Sequence, residues 1–307
     1  MSLPTSPLGR DGPEVTRIGF GLMGLSSYYG VPLAHERGLD LLDQAYALGE
    51  RFWDTADVYG DNEDLLGKWF KANQDKRNGV FLATKLGVRA KPDGTIGADS
   101  SYEYCLAACE RSLKRLGLST MPVEETIRAM VQLKEQGKIR YLGLSDCSAE
   151  SLRRAHKIHP ISAVQVEYTP FSLDVESLQI RLLETCRELG VALVAGFRTM
   201  LPRFTKENLP KTLKLVDKIT ALAKDKNVTT SQLSLAWLLA QGPDVFPIPG
   251  TTKMERLKES LGALSVQMFV VDDARFRRAV NDADIQGDRY PEAFSSTLFV
   301  DTPPLNS

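Results

Sequence analysis

Histidine is scarce in this 307-residue chain, with only His35, His156 and His159 present. Each falls in or beside a predicted helix and none at a predicted strand end. Cysteine is nearly as sparse. Cys105, Cys109, Cys147 and Cys186 show neither metal-ligand nor redox spacing, so no metal site is expected. Cys105 and Cys109, four apart on a predicted helix, read as small core residues, and reduced thiols are the expectation for a cytoplasmic protein. Neither sign of charge is in excess. Thirty-eight basic against 39 acidic residues leave a net charge of -1, which gives no electrostatic case for nucleic acid or an acidic membrane. A long apolar run is also missing, so no segment is expected to span a bilayer. The opening "MSLPTSPLGRDGPEV" lacks an apolar signal core.

What remains is an ordinary globular composition, 43% hydrophobic and 25% charged, enough for a sizeable core. No wide break in composition divides the chain, so one domain over 1–307 is expected. A hairpin turning at Arg10-Asp11-Gly12 comes first. Strand-like and helix-like runs then alternate. "RIGFGLM", "RFWDTA", "VFLATKLG", "YLGLSD", "AVQVEY", "VALVAG" and "VFPIPG" read as strands. The helical runs between them include "ERGLDLLDQAYALG", "NEDLLGKWFK", "SSYEYCLAACERSLKRLG", "VEETIRAMVQLKEQG", "SAESLRRAHKI", "ESLQIRLLETCRELG", "LKLVDKITALAKDK" and "TSQLSLAWLLAQG", with "MERLKESLGAL" after the last strand. Such alternation predicts a parallel sheet covered by helices. Eight strands would close into a (β/α)8 TIM barrel, with its site at the C-terminal strand ends. Seven are clear here. The eighth belongs between Leu116 and Val123, where only Gly117 to Pro122 separate two helices. A helix of about 14 residues runs ~21 Å down such a barrel. Six extended residues span at most ~20 Å on the way back. The predicted barrel is therefore incomplete or distorted at strand 4.

Polar residues gather at the predicted strand ends. "DTADVYG" supplies Asp54, Asp57 and Tyr59, "ATK" supplies Lys85, "LSD" supplies Ser145 and Asp146, and "VQVEY" carries Gln165. A lysine beside a tyrosine lowers the phenol pKa toward working pH, and a carboxylate holds the lysine. The plainer reading, an Asp54–Lys85 ion pair stabilising the barrel with Tyr59 as a rim aromatic, stands equally with it on these residues alone. A second group is "IPGTTKMERLKES". Gly250, Thr251 and Thr252 precede a helix, with Lys253 and Arg256 beside them, which suits a phosphate. On this motif alone a plain Thr252 N-cap with solvated charges is favoured. No G-x-G-x-x-G opens a strand–helix unit. "GFGLMG" at Gly19 to Gly24 is glycine-rich, but no helix is expected directly after it.

Taken in order, "FWDTADVYG", "LATK", "GLSDCS", "AVQVEY" and "PIPGTTKMERLKESLGAL" resemble the aldo-keto reductase family, in its fungal, plant and bacterial branch with the "IGFGLMGLS" opening. The resemblance runs from the hairpin to "GDRYPEAF". It implies NADPH-dependent reduction of small aldehyde or ketone substrates on a (β/α)8 barrel. By that resemblance Tyr59 is the general acid, Lys85 tunes it and Asp54 supports Lys85. Ser145, Asp146 and Gln165 match positions that hold the nicotinamide carboxamide. Lys253 and Arg256 match the neighbourhood of the adenosine 2′-phosphate, and Glu259 and Ser260 that of the adenine.

Two family segments are absent. One is the fourth strand with its carbonyl-orienting histidine, for which none of the three histidines substitutes. The other is the Ala-Tyr-Ser-Pro-Leu-Gly strand end with the loop that clasps the pyrophosphate. Here Val194-Ala195-Gly196 runs almost straight into "FRTMLPRF". The edges of both gaps match the family cleanly, which points to lost exons, a shortened isoform or a gene-model break. Low activity is therefore expected, and the rival expectation is a catalytically inactive NADP-binding or regulatory protein.

Overall fold

The structure is a computed structural model that describes residues 3–26, 32–86, 88–90, 96–98, 123–196, 202–287, 299 and 301–302. The N-terminal hairpin pairs β1 (Thr5–Pro7) with β2 (Glu14–Thr16) in antiparallel register. Its turn closes where the Gly12 N–H donates to the Gly9 carbonyl at 3.2 Å. The parallel sheet begins with β3 (Phe20–Gly21), followed by the four-residue helix α1 (Met23–Ser26) and by α2 (His35–Ala47). The glycine-rich stretch is thus followed by a helical turn after all. The chain continues through β4 (Phe52–Asp54), α3 (Asn62–Ala72) and β5 (Phe81–Ala83). An unforeseen hairpin, β6 (Val88–Ala90) with β7 (Ile96–Ala98), follows. The Asp93-Gly94 pair between those two runs was its signal in the sequence. The predicted helix over 100–117 and the short link over 117–122 lie outside the described residues, as does "GDRYPEAF" beyond residue 287.

The second half runs α4 (Val123–Glu135), β8 (Gly143–Ser145), α5 (Ala149–Ile158) and β9 (Ala163–Glu167), then α6 (Leu182–Leu189) and β10 (Ala192–Gly196). It ends with α7 (Leu209–Asp225), α8 (Thr230–Ala240), β11 (Val245–Pro247), α9 (Met254–Gly262) and α10 (Val270–Asn281). Three helices differ from expectation, α7 by starting four residues before "LKLV…" suggests. α6 starts six residues later than "ESLQ…" suggests. Ser177 Oγ takes the Ile180 N–H at 3.2 Å, and Arg181 sits at φ 50° before the helix opens. A serine hydroxyl competing for backbone donors favours a turn over a helix there. α10 was not foreseen; it docks through the buried Phe276 and Val280.

Parallel pairing joins β8, β9, β10 and β11 in one run and β3, β4 and β5 in another. The two runs meet at β11 and β3. There the Gly19 and Gly21 N–H groups donate to the carbonyls of Pro247 and Pro249 at 2.9 and 3.1 Å. Proline has no N–H to return at 247 and 249, and beyond them Gly21 and Gly250 form a parallel bridge. The seam is also tight. A Cβ on Gly21 would meet the Ile248 carbonyl oxygen at 2.8 Å, and one on Gly250 the Gly21 oxygen at 2.9 Å. That close approach accounts for glycine on both sides. Across the seam the seven strands form one curved parallel order, with β5 and β8 at its two ends. Among the described residues, no strand pairs with the outer edge of either. The fourth of eight strands belongs at that point.

Alternation along the strands separates inside from outside. On β10, Ala192 and Val194 face the interior with Phe52, Phe246 and Ile248, and the hairpin residues Leu8 and Val15 plug that space from the N-terminal end. Leu193 and Ala195 face outward into the core beneath the helices, with Trp237, Phe276 and Tyr168. A second outer core packs Phe20, Trp53 and Trp69 with Leu42 and Leu257. A filled interior with helices outside is the packing of a (β/α)8 barrel.

Candidate active site

The hairpin closes one end of the barrel, so the C-terminal strand ends are left open. A cavity of about 670 Å³ occupies that end. Asp54 is the last residue of β4 and is buried at 3% exposure. Tyr59 follows in a turn, where its N–H donates to the Ala56 carbonyl at 3.2 Å, and its side chain is also buried. Lys85 lies two residues beyond β5. Its Nζ donates to Asp54 Oδ1 at 2.7 Å and to the Thr55 carbonyl at 2.6 Å. The same ammonium lies 5.1 Å from the centre of the Tyr59 ring. Strand ends that neighbour each other in the sheet bring these three groups together although 31 residues separate Asp54 from Lys85.

The other half contributes from β8 and β9. Ser145 ends β8 and is exposed. Asp146 adopts φ 51° and donates its N–H to the Gln165 carbonyl at 2.9 Å. Gln165 Nε2 donates to Asp54 Oδ2 at 2.8 Å, linking the two halves of the sheet through the interior. Asp54, Tyr59, Ser145, Asp146 and Gln165 all line the cavity.

At its far side lies the turn after β11. Gly250, Thr251, Arg256, Glu259 and Ser260 line the cavity there. Thr252 is not the N-cap of α9. Lys253 takes that position without a side-chain cap bond, and Thr251 Oγ1 accepts the Lys253 N–H at 3.0 Å. The first threonine competes successfully for that N–H, which moves the helix start one residue on. Thr252 is half-buried and Lys253 exposed, and neither lines the cavity. Arg256 Nη1 donates to Glu259 Oε2 at 2.7 Å. Hydrogen bonds from Thr229 and then Arg256 hold the Glu259 carboxyl below its ordinary range.

Two sets of cavity residues escaped the sequence reading. Ser231, Ser234, Leu235 and Leu238 of α8 line the wall. Their i, i+3, i+4, i+7 spacing was visible, but a helix this apolar reads as core on every face. Glu167, at the end of β9, also lines the cavity and accepts from the buried Arg203 at 3.3 Å. Arg203 further donates to the Phe171 carbonyl at 2.6 Å. Nothing in the spacing of "VQVEY" and "LPRF" announces that pair. None of the three histidines lines the cavity: His35 opens α2 at the same end but turns to Asp61, two residues after Tyr59, while His156 lies within α5 and His159 caps its end. Among the described residues, no group of three or more His, Cys, Asp or Glu could hold a metal.

Known proteins resemble this chain in sequence and fold. The chain is 41% identical to the aldo-keto reductase yakc [NADP(+)] of Schizosaccharomyces pombe, over 99% of each chain. It is 40% identical to the aldo-keto reductase str7 of Strobilurus tenacellus, again over 99% of both. The yeast alignment runs over 342 positions against the 307 residues present, so at least 35 positions have no counterpart in this chain. The thermostable aldo-keto reductase Tm1743, solved with the inhibitor epalrestat, superposes with a TM-score of 0.73 at 30% identity, over 90% of this chain and all of its own. A glycerol dehydrogenase from Gluconobacter oxydans shares the fold alone, with a TM-score of 0.77 at 22% identity over 94% of this chain and 98% of its own. The profile of the aldo/keto reductase family matches residues 17–279, and the chain belongs to that family.

Proposed function

We propose that this protein is a cytoplasmic, single-domain oxidoreductase that reduces small aldehydes or ketones to alcohols with NADPH. The observation that carries the reading is the Asp54–Lys85–Tyr59 cluster at the floor of the open cavity. The donor set suits a dinucleotide. Ser145, Asp146 and Gln165 at one side suit the carboxamide, and at the other the turn at Gly250 and Thr251 with Arg256 suits the extra phosphate, while Thr252 and Lys253 lie beside it outside the cavity lining. Glu259 and Ser260 line the cavity and are assigned to the adenine on the family resemblance. When bound, NADPH supplies the hydride.

Tyr59 donates its phenolic proton to the carbonyl oxygen. The Lys85 ammonium, 5.1 Å from the ring centre, favours the phenolate left behind. Asp54 holds that ammonium, with the Thr55 carbonyl as its second anchor. No histidine lines the cavity to share the carbonyl oxygen, so Tyr59 bears the polarisation alone and turnover is slow. The two short segments favour a second reading, an NADP-binding protein without turnover, and the at least 35 unmatched alignment positions are its support.

The test is titration of the purified protein with NADPH by intrinsic fluorescence, followed by NADPH oxidation with a panel of aldehydes and ketones. Binding with slow turnover is expected. Binding without turnover supports the second reading, and absence of binding overturns both.

A further inference from the structure

Asp54 divides its two oxygens between different partners. Oδ1 accepts from Lys85 at 2.7 Å and Oδ2 from Gln165 Nε2 at 2.8 Å. The first partner belongs to the proton-donating cluster. The second belongs to β9, across the barrel, and lines the cavity. A carboxylate paired with an ammonium has only lone pairs to offer. Gln165 must therefore turn its nitrogen toward Asp54, and the choice between its two amide orientations is made by the partner. Its Oε1 is left over, and among the described residues nothing donates to it.

We propose that Asp54 is a positioning residue for the cofactor as well as for Lys85. By holding Nε2, it makes Gln165 present an acceptor to the cavity, matched to the N–H of a bound carboxamide. This rests on the NADPH reading above, with Gln165 at the nicotinamide end. One buried carboxylate thereby sets both the ammonium beside Tyr59 and the polarity of the amide that receives the nicotinamide group.

Asp54→Asn reverses the second setting. The asparagine carbonyl is drawn to the Lys85 ammonium, which can only donate. Its Nδ2 then faces Gln165, which must turn its oxygen inward and show a donor to the cavity. The experiment compares binding of NADPH with that of its 3-acetylpyridine analogue, in which a methyl group replaces the amide nitrogen. In the unaltered protein NADPH is preferred. In Asp54→Asn that preference falls by about 10-fold, the scale of one well-made hydrogen bond turned into a mismatch. Gln165→Leu abolishes the preference, and adding Asp54→Asn to it changes nothing further.

An unchanged preference in a cooperatively melting Asp54→Asn protein overturns the proposal. So does a change that persists in the Gln165→Leu background, since Asp54 would then act by another route. If Asp54→Asn fails to fold, Gln165→Leu alone decides, and a preference surviving it overturns the proposal. Failure of the unaltered protein to bind either nucleotide removes the NADPH reading itself, and this inference with it.

Discussion

Strand β4 is bracketed by two buried carboxyl groups with opposite chemistry. Asp54, at its C-terminal end, is 3% exposed and bonds the Lys85 ammonium and the Gln165 amide. Glu50, two residues before its start, is fully buried; its Oε1 accepts from the Thr16 hydroxyl and the Phe52 N–H, both at 2.7 Å, and the Arg51 charge acts on it only weakly. Its Oε2 has no partner. Burial pushes the Glu50 carboxyl from 4.5 up to about 8, against the pull of those hydrogen bonds. The two buried carboxyls thus differ in the partners that meet them. The hairpin that supplies Thr16 closes one end of the barrel around a group that keeps its proton at neutral pH. The open end gathers groups whose charges are paired.

The largest effect expected from this contrast is on stability at the closed end. The folded-state value of about 8 lies above the ordinary 4.5, so folding retains a proton that the unfolded chain has released. Glu50 therefore contributes its full stabilisation below about pH 4.5. That contribution is lost progressively as pH rises toward 8, at roughly 1.4 kcal/mol per pH unit. The whole loss is on the order of 3–5 kcal/mol. Glu50→Gln keeps an acceptor for Thr16 and Phe52 but cannot ionise. Unfolding by denaturant at several pH values, unaltered protein against Glu50→Gln, should show the difference curve falling across that window. A flat difference would mean that Glu50 is not buried as a proton-holding group.

At the open end the expected effect is on rate. Tyr59→Phe should lower carbonyl reduction at least ~100-fold, equivalent to ~2.7 kcal/mol of barrier, with little change in NADPH affinity. Steady-state kinetics beside a nucleotide titration check it. An unchanged turnover removes Tyr59 from proton donation and reduces the Asp54–Lys85 pair to the structural role that the sequence alone left open.

The two ends were not equally legible in the sequence. Asp54, Tyr59, Lys85, Ser145, Asp146 and Gln165 stood out because polar residues at the ends of apolar strands have few reasons to be there. Glu50 gave no such signal. After Gly49 and before "RFWD" it reads as a solvated link, and its burial is created by a hairpin more than thirty residues earlier. The Gln165–Asp54 bond was equally hidden, since strand order says which ends are neighbours but not what meets across the interior. Pairing of Glu167 with Arg203 depends on a return of the chain after β10 that no local pattern encodes. The parallel sheet covered by helices, by contrast, followed from alternation, with the (β/α)8 class implied by the family motifs, and the glycines of "GFG" acquired a reason only at the tight seam against Pro247 and Pro249.

Arginines offer a finer comparison between the ends. At the closed end, Arg17 donates to the Pro243 carbonyl at 2.7 Å and to the Leu239 and Gly242 carbonyls at 3.2 Å. It thereby satisfies acceptors left over at the C-terminus of α8 and meets the negative end of that helix. Arg17→Ala should cost ~1–2 kcal/mol of stability and leave NADPH affinity untouched. Thermal unfolding with a parallel nucleotide titration measures both, and a loss of affinity would show that the closed end communicates with the site.

Arg256 is the counterpart at the open end, and the smallest effect belongs to it. Its side chain is 66% exposed and shares its charge with Glu259 at 2.7 Å. An exposed guanidinium contributes little to folding, because solvent screens it and an ordered geometry costs side-chain entropy. Arg256→Ala should therefore leave the melting temperature nearly unchanged. Its contribution to a bound 2′-phosphate is screened for the same reason. The preference for NADPH over NADH should fall only about 3–5-fold at low ionic strength, and the difference should shrink as salt is raised. Arg256→Lys should recover part of the preference, since it keeps the charge but not the planar fork. Titrations of both nucleotides at two salt concentrations read all of this out. A preference unchanged by Arg256→Ala would move the burden to Lys253, while a loss far beyond tenfold would mean that the guanidinium leaves Glu259 and becomes buried when the nucleotide binds.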